Sequence, residues 1–132
     1  MPRAFNPSSV AGPLGTYSHG VEVAPGSRLL FGAGQVGIAE DGRIGVGIEE
    51  QARLAWRNIG EVLAGADMAI RDIVQLNMYL VDREDVAAAR AVREEVLGEH
   101  RPASTLAYVQ GLASPDWRIE IDFVAATAAD ER

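Results

Sequence analysis

The clearest hydrophobic pattern in the chain is a strict alternation over residues 117–123. Apolar residues occupy every second position, at Trp117, Ile119, Ile121 and Phe123, and Arg118, Glu120 and Asp122 lie between them. Successive side chains of a strand point to opposite faces, so this segment is predicted to be a half-buried strand. Residues 104–110 are predicted to form another strand, joined to it by a turn at residues 111–116, which contain Gly, Ser, Pro and Asp.

Three further strands are predicted upstream. Residues 18–23 and 28–33 flank the turn signal Pro25-Gly26-Ser27, so they are expected to pair as a hairpin. Residues 72–81 alternate again, with an apolar face and a more polar face. The apolar face comprises Val74, Leu76, Met78 and Leu80, and the polar face comprises Gln75, Asn77 and Tyr79. Residues 1–16 are rich in Pro, Gly and Ser and are expected to be irregular or to form an edge.

Helical spacing of apolar residues marks residues 48–66 as the strongest helix. Its stripe comprises Ala52, Ala55, Ile59, Val62, Leu63 and Ala66. Glu49 and Glu50 lie in the first turn, where the helix dipole favours them, and Gly65 or Asp67 is expected to end the helix. The narrow stripe indicates packing against one layer.

A second helix is predicted at residues 82–97, with Asp82 as N-cap and Gly98 as terminator. Its core stripe comprises Val86, Ala89, Val92, Val96 and Leu97. Arg90 and Arg93 lie outside this stripe. Arginines on helices are usually solvated, so each is expected to be exposed.

The predicted order ββαβαββ indicates an α+β fold, a two-layer sandwich of a mixed sheet with both helices on one face. We expect residues 1–132 to form one domain. The other sheet face, which carries Gln75, Asn77 and Tyr79, would stay open. An open face on a small chain suggests self-association, with sites between subunits.

Composition narrows the function classes. The net charge of −7 argues against nucleic acid and anionic membrane surfaces as partners. The chain has no cysteine and only two histidines, so no metal site or thiol chemistry is expected. No apolar leader or membrane-length segment is visible, so a cytoplasmic location is expected.

Residues 32–37, Gly-Ala-Gly-Gln-Val-Gly, match the dinucleotide-binding pattern G-x-G-x-x-G. That pattern requires a helix directly after it, whereas residues 38–47 contain Asp41-Gly42 and read as a loop or hairpin. We therefore expect these glycines, including Gly34, to allow close approach of backbone or ligand.

Several segments in a fixed order resemble the RidA family, also called the YjgF or endoribonuclease L-PSP family. Residues 15–20, Gly-Thr-Tyr-Ser-His-Gly, resemble its G-P-Y-S-Q-A, and residues 30–35 resemble its strand ending in S-G-Q. Gln51, Asn58 and the strand beginning Asp72-Ile73-Val74 are similar to family positions. Pro102-Ala103 and Glu120-Ile121-Asp122 resemble its P-A-R and E-I-E signatures.

The resemblance implies a homotrimer of chorismate-mutase-like α+β subunits, with clefts between neighbours. It also implies cofactor-independent hydrolysis of reactive enamines or imines of small carboxylates to 2-keto acids and ammonia. Glu120 would position the attacking water, and Tyr17 would line the pocket.

The chain departs from the family pattern at the carboxylate-binding arginine, whose position is Ser104. A hydroxyl cannot reproduce a bidentate guanidinium, so the expected substrate differs from 2-iminopropionate. A compensating hypothesis has Arg90 supply the guanidinium, with Ser104 and Thr105 donating hydroxyls. Gly34 and Leu106 complete the expected substrate-binding set.

Two functions therefore stay open: an imine or enamine hydrolase, and a non-catalytic module that binds a small metabolite on the same fold. A ribonuclease is disfavoured by the negative charge. A serine hydrolase built on Ser18 and His19 is also disfavoured, because neighbouring strand residues point to opposite faces.

Overall fold

The computed structural model describes residues 2–129. In chain order, the strands and helices are β1 Arg3–Phe5, β2 Gly20–Glu22, β3 Arg28–Val36, α1 Gly47–Gly65, β4 Ile73–Leu80, α2 Val86–Leu97, β5 Ala103–Tyr108 and β6 Ile119–Thr127. Short 3₁₀ turns at Ile70–Asp72 and Arg83–Asp85 lead into β4 and α2. The predicted order ββαβαββ is confirmed from β2 onward, and one additional short strand, β1, precedes it.

The main sheet has four strands in the order β3-β6-β4-β5. β5 runs parallel to β4, and the other pairs are antiparallel, so the sheet is mixed as predicted. A parallel pair needs a crossover connection, and α2 supplies it between β4 and β5. β5 and β6 follow one another in sequence but are not neighbours, because β4 lies between them.

The predicted hairpin of residues 18–23 and 28–33 is wrong. β2 pairs with β1 in a separate two-stranded sheet, whereas β3 pairs with β6. The nine-residue β6 offers β3 a long antiparallel partner that places Leu30 against the core, which the three-residue β2 cannot match. Part of the segment expected to be irregular or to form an edge is therefore the exposed strand β1.

The core lies between the two helices and one face of the sheet. Leu76, Met78 and Leu80 of β4 and Ile119, Ile121 and Phe123 of β6 are buried there as predicted, together with Ala52, Ala55, Ile59 and Leu63 of α1 and Ala89, Val92 and Leu97 of α2. Val74 is buried outside this core, and Trp117 precedes β6 and is only half-buried, so the prediction for these two residues is wrong. Val62 was expected in the stripe but is 36% exposed, because it lies at the stripe's edge. Asp82 caps the 3₁₀ turn through the amide of Glu84, so α2 itself begins later, at Val86.

Gln51, buried in α1, holds the segment that leads into β6. Its side-chain amide donates to the carbonyls of Gly45 (3.1 Å) and Asp116 (3.0 Å), and its oxygen accepts from the amide of Arg118 (2.8 Å). The Arg118 guanidinium then forms two hydrogen bonds with buried Asp85, at 3.0 and 2.6 Å. These contacts fix the start of β6 and therefore the position of Glu120.

None of the helices in residues 2–129 is long and apolar enough to cross a membrane. The sheet face away from the helices is open, as predicted, with Gln75 exposed and Asn77 and Tyr79 partly exposed.

Candidate functional site

A cavity of about 310 Å³ lies where α2 and the edge strand β5 meet the loop before β2. Its lining residues are Leu14, Gly15, Tyr17, Arg90, Arg93, Ser104, Thr105 and Leu106. Five of the seven candidate site residues are therefore brought together here, and Glu120 and Gly34 are not among them. Within residues 2–129, the lining includes no carboxylate.

The loop that carries Tyr17 is held against the start of β5. The backbone amide of Ser18 donates to the carbonyl of Pro102 at 3.1 Å, and the Ser18 hydroxyl donates to the carbonyl of Arg101 at 2.6 Å. The Tyr17 hydroxyl accepts from the amide of Leu14 at 3.2 Å. These hydrogen bonds fix Tyr17 beside Ser104, which follows Arg101 and Pro102 in the chain and lines the same cavity.

The same contacts disfavour the serine hydrolase interpretation further. The Ser18 hydroxyl is buried and already donates to a backbone carbonyl. The His19 ring donates from Nε2 to the carbonyl of Ala11 at 2.7 Å. A nucleophile and a base would instead need to hydrogen-bond to each other.

Arg93 is the site residue that the sequence reasoning missed. It was expected to be solvated, and this expectation is wrong: the residue is only 4% exposed. One of its terminal nitrogens donates to the hydroxyl of Thr16 at 3.2 Å, whereas its Nε is buried without a partner. The pattern carried a signal, since Arg93 lies four residues after Ala89 and four before Leu97, both buried.

Burial determines the electrostatics of Arg93. Desolvation lowers its pKa from the ordinary value, and the charge of Arg90 lowers it further. Glu94 has a weaker opposite effect, and Arg101 lowers the pKa slightly. Arg90 lies one turn earlier on α2, where it is exposed and lines the cavity. The cavity is therefore a positively charged recess in a chain of net charge −7.

Glu120 and Gly34 lie apart from this cavity, on strands β6 and β3. Glu120 pairs with Val36 on one side and Tyr79 on the other, and its side chain is on the open face. Since β4 lies between β6 and β5, the backbone of Glu120 is roughly 10 Å from that of β5 across the sheet. Within one chain, the carboxylate of Glu120 is therefore separated from the five candidate residues that line the cavity.

The glycines of residues 32–37 are explained by close packing. A side chain at Gly34 would collide with the carboxylate of Glu120, and one at Gly32 would collide with the ring of Phe123. Gly37 lies equally close to Gln51. The segment continues β3 instead of opening a helix, so it lacks the context that dinucleotide binding requires.

The open face around Glu120 carries both carboxylates and exposed apolar side chains. Asn77 donates to Asp122 at 2.8 Å, and the Tyr79 hydroxyl also donates to Asp122, which raises the pKa of Tyr79. On β3, Phe31 is 74% exposed and Leu29 is 50% exposed. Phe31 and Leu29 are thus large apolar side chains exposed on the sheet face that also carries Glu120 and Asp122.

A larger cavity of about 630 Å³ lies between the β1–β2 sheet and the start of β4. It contains none of the candidate residues. Among residues 2–129, no cluster of His, Asp and Glu could hold a metal ion.

Comparison with known proteins decides the family. The family model described as Endoribonuclease L-PSP matches residues 8–127, which is most of the chain. The chain belongs to this family, also named RidA or YjgF.

Relatives agree with this assignment over nearly the whole length. The chain is 27% identical to the Escherichia coli protein named putative reactive intermediate deaminase TdcF, over 98% of this chain and 100% of that protein. It is 27% identical to human 2-iminobutanoate/2-iminopropanoate deaminase, over 93% of this chain and 88% of that protein.

Solved structures share the fold. The Rid family protein YyfB of Yersinia pestis, described as of unknown function, superposes with a TM-score of 0.83 at 30% identity. That match covers 96% of this chain and 98% of the other. The structure of Escherichia coli TdcF with bound serine gives a TM-score of 0.73 at 25% identity, covering 96% and 99% of the two chains. The predicted α+β fold is confirmed.

Proposed function

We propose that this protein hydrolyses a reactive imine or enamine of a small carboxylate metabolite without a cofactor. The observation that carries the proposal is the cationic cavity, in which Tyr17, Ser104 and Thr105 line one space with two arginines. Support also comes from the family and from two relatives named as deaminases of reactive intermediates or imino acids.

The proposed reaction converts an imine and water into a carbonyl compound and ammonia. Solvent protonates the imine nitrogen, and Glu120 accepts a proton from water as the water oxygen bonds to the iminium carbon, which gives a carbinolamine. Glu120 then transfers this proton to the amino nitrogen. The carbon–nitrogen bond breaks as the hydroxyl releases its proton to solvent, which leaves the carbonyl compound and ammonia. Tyr17 hydrogen-bonds to the substrate. An enamine first gains a proton at carbon and then follows the same course.

We further propose a homotrimer in which each cavity is completed by Glu120 of the neighbouring subunit. Support for this comes from the separation of Glu120 from the cavity and from the exposed Phe31 and Leu29 on the same open face. A heterologous, three-fold cyclic contact through that face would bury both the apolar side chains and the carboxylates.

The proposed substrate is an imino acid other than 2-iminopropionate. The human relative is named for 2-iminobutanoate and 2-iminopropanoate, whereas this chain has Ser104 where the family pattern has arginine. A changed carboxylate contact shifts the position of the whole substrate, so a different side chain would fit.

The test is a panel of imino acids generated in place by an amino acid oxidase from amino acids of different side-chain size. Semicarbazide traps the imine that has not been hydrolysed. The amount of trapped product therefore reports how fast the imine is lost, with wild type and with Glu120→Gln. We expect faster loss for at least one imine with wild type and little or none with Glu120→Gln. Equal rates for the two proteins across the panel would contradict the proposal.

The second candidate is a non-catalytic module that binds a small metabolite. It is favoured by one observation, the absence of a carboxylate from the lining of the cavity on the described chain. The solved complex of TdcF with serine is consistent with ligand binding on this fold. An inert protein that still binds small carboxylates in the same panel would favour this candidate.

A further inference from the structure

Arg93 is the only buried arginine in residues 2–129, and its charge is balanced differently from that of the paired arginines Arg118 and Arg53. Arg118 forms two hydrogen bonds with Asp85, and Arg53 pairs with Glu49 and Glu95. Arg93 has one neutral hydrogen bond, to Thr16, and none of the ion pairs in residues 2–129 includes it. It is nevertheless the most deeply buried of these three residues.

A buried guanidinium without a counter-charge destabilises a fold. Removing a cation from water costs several kcal/mol unless an opposite charge and hydrogen bonds replace the water. A guanidinium has five N–H donors, and here one donates to Thr16 while Nε has no partner. Glu94 offsets this charge only in part, since burial and Arg90 each lower the pKa of Arg93 more than Glu94 raises it, so an anion bound in the cavity would supply further compensation.

The surroundings of Arg93 fit an anion with two oxygens. Tyr17, Ser104 and Thr105, whose side chains carry hydroxyls, also line the cavity of about 310 Å³ that Arg93 lines; Ser104 and Thr105 are consecutive in β5, so their side chains point to opposite faces of the sheet. Planar guanidinium and carboxylate groups form paired hydrogen bonds, and neighbouring hydroxyls can donate to the same oxygens. Arg90 adds a second positive charge, but it is exposed and therefore screened by solvent.

We propose that Arg93, from helix α2, is the residue that binds the carboxylate of the substrate. This inference rests on the proposed function, and it names which arginine replaces the missing guanidinium at position 104. It differs from the expectation for Arg90, because burial and the unpartnered nitrogen single out Arg93.

The experiment measures binding, not turnover, with 2-oxobutanoate as a stable stand-in for the imino acid. Isothermal titration calorimetry compares wild type, Arg93→Met, Arg93→Lys and Arg90→Met. Arg57→Met, which removes an exposed charge on α1 outside the cavity, is the matched control. The uncharged amide 2-oxobutanamide is titrated in parallel.

We expect Arg93→Met to bind 2-oxobutanoate at least about tenfold more weakly, since charge-assisted hydrogen bonds are lost. Arg93→Lys should recover part of the affinity through its point charge, Arg90→Met should lose less than Arg93→Met, and Arg57→Met should match wild type. The amide should bind wild type and Arg93→Met equally weakly.

Thermal unfolding separates this role from a structural one. Replacing an uncompensated buried charge by an apolar side chain of similar length should leave the melting temperature of Arg93→Met unchanged or raise it. Unchanged affinity in Arg93→Met, a larger loss in Arg90→Met, or a loss of binding that follows a lowered melting temperature would each overturn the inference. Arg93-dependent binding without hydrolysis of any imine would overturn the proposed function and leave this inference standing.

Discussion

The two surfaces that carry the candidate chemistry are opposite in character. The cavity beside α2 and β5 is lined by two arginines together with Tyr17, Ser104 and Thr105, and no carboxylate lines it within residues 2–129. The open face of the sheet holds Glu120 and Asp122 beside exposed Phe31. The proposed imine hydrolysis uses an anion-binding group and a carboxylate that transfers protons. The difference teaches that one chain carries both parts of the proposed site and keeps them on separate surfaces.

The strand order explains the separation. Glu120 alternates with the buried residues of β6 and therefore points to the open face. β6 is an inner strand, whereas β5 is the edge strand that contacts the loop of Tyr17, and β4 lies between them. A second copy packed on the open face is the simplest way to bring a carboxylate to the cavity.

The largest expected effect comes from Phe31→Glu, which places a charge in the exposed apolar part of the open face. We expect the variant to fold but to sediment with the mass of one chain, whereas wild type sediments with the mass of three, and to lose turnover. Val46→Glu adds the same charge at another residue, 82% exposed, at the start of α1, and should keep the wild-type mass. Analytical ultracentrifugation measures the mass of each assembly. A Phe31→Glu protein that keeps the wild-type mass would contradict the proposed interface.

Gly34→Ala should lower the turnover rate and leave ligand binding in the cavity unchanged. The added methyl group would collide with the Glu120 carboxylate, and a displacement of about 1 Å in a reacting group costs on the order of 100-fold in rate. Binding of 2-oxobutanoate in the cavity should be unchanged. Gly60→Ala, at a helix position with open space around it, is the control and should retain full activity. Equal losses of rate and binding in Gly34→Ala would show that the two surfaces are not independent.

The smallest effect concerns Tyr79, which donates to Asp122 on the acidic face. Because this bond and nearby negative charge favour the neutral phenol, the pKa of Tyr79 is raised in the folded state. The resulting stability is therefore present below the unfolded pKa, about 10, and is lost as the pH rises through the folded value. Tyr79→Phe should reduce the free energy of unfolding by at most about 1 kcal/mol near pH 8. Denaturant titrations at pH 8 and above pH 11 test this, and a difference that persists undiminished at high pH would contradict it.

Periodicity was sufficient to predict the fold. The alternation in β4 and β6 and the stripe of α1 identified the buried faces, because burial dominates the placement of apolar residues. Strand pairing was predicted less well: the local turn at Pro25-Gly26-Ser27 suggested a hairpin, but the distant β6 is the partner of β3. Such pairing depends on packing across the whole sheet, which a local pattern does not contain.

The candidate site was predicted through the resemblance to the RidA family, and its omission of Arg93 has a physical cause. Tyr17, Arg90, Ser104, Thr105 and Leu106 meet in one cavity. Arg93 was expected to be exposed because arginines on helices usually are, although its spacing from Ala89 and Leu97 places it on the buried side of α2. The separation of Glu120 from the cavity could not be read from the sequence, because it follows from the strand order.

The central claim, that each site combines Arg93 of one subunit with Glu120 of the next, is tested most directly by mixing two inactive variants. Arg93→Met and Glu120→Gln chains are unfolded together in equal amounts, refolded, and assayed on the best imine of the panel. Random assembly of trimers should restore about a quarter of the wild-type turnover, since one site in four then pairs an intact Arg93 with a neighbouring intact Glu120. Refolded mixtures that assemble normally and show no more turnover than the separate variants would contradict the claim.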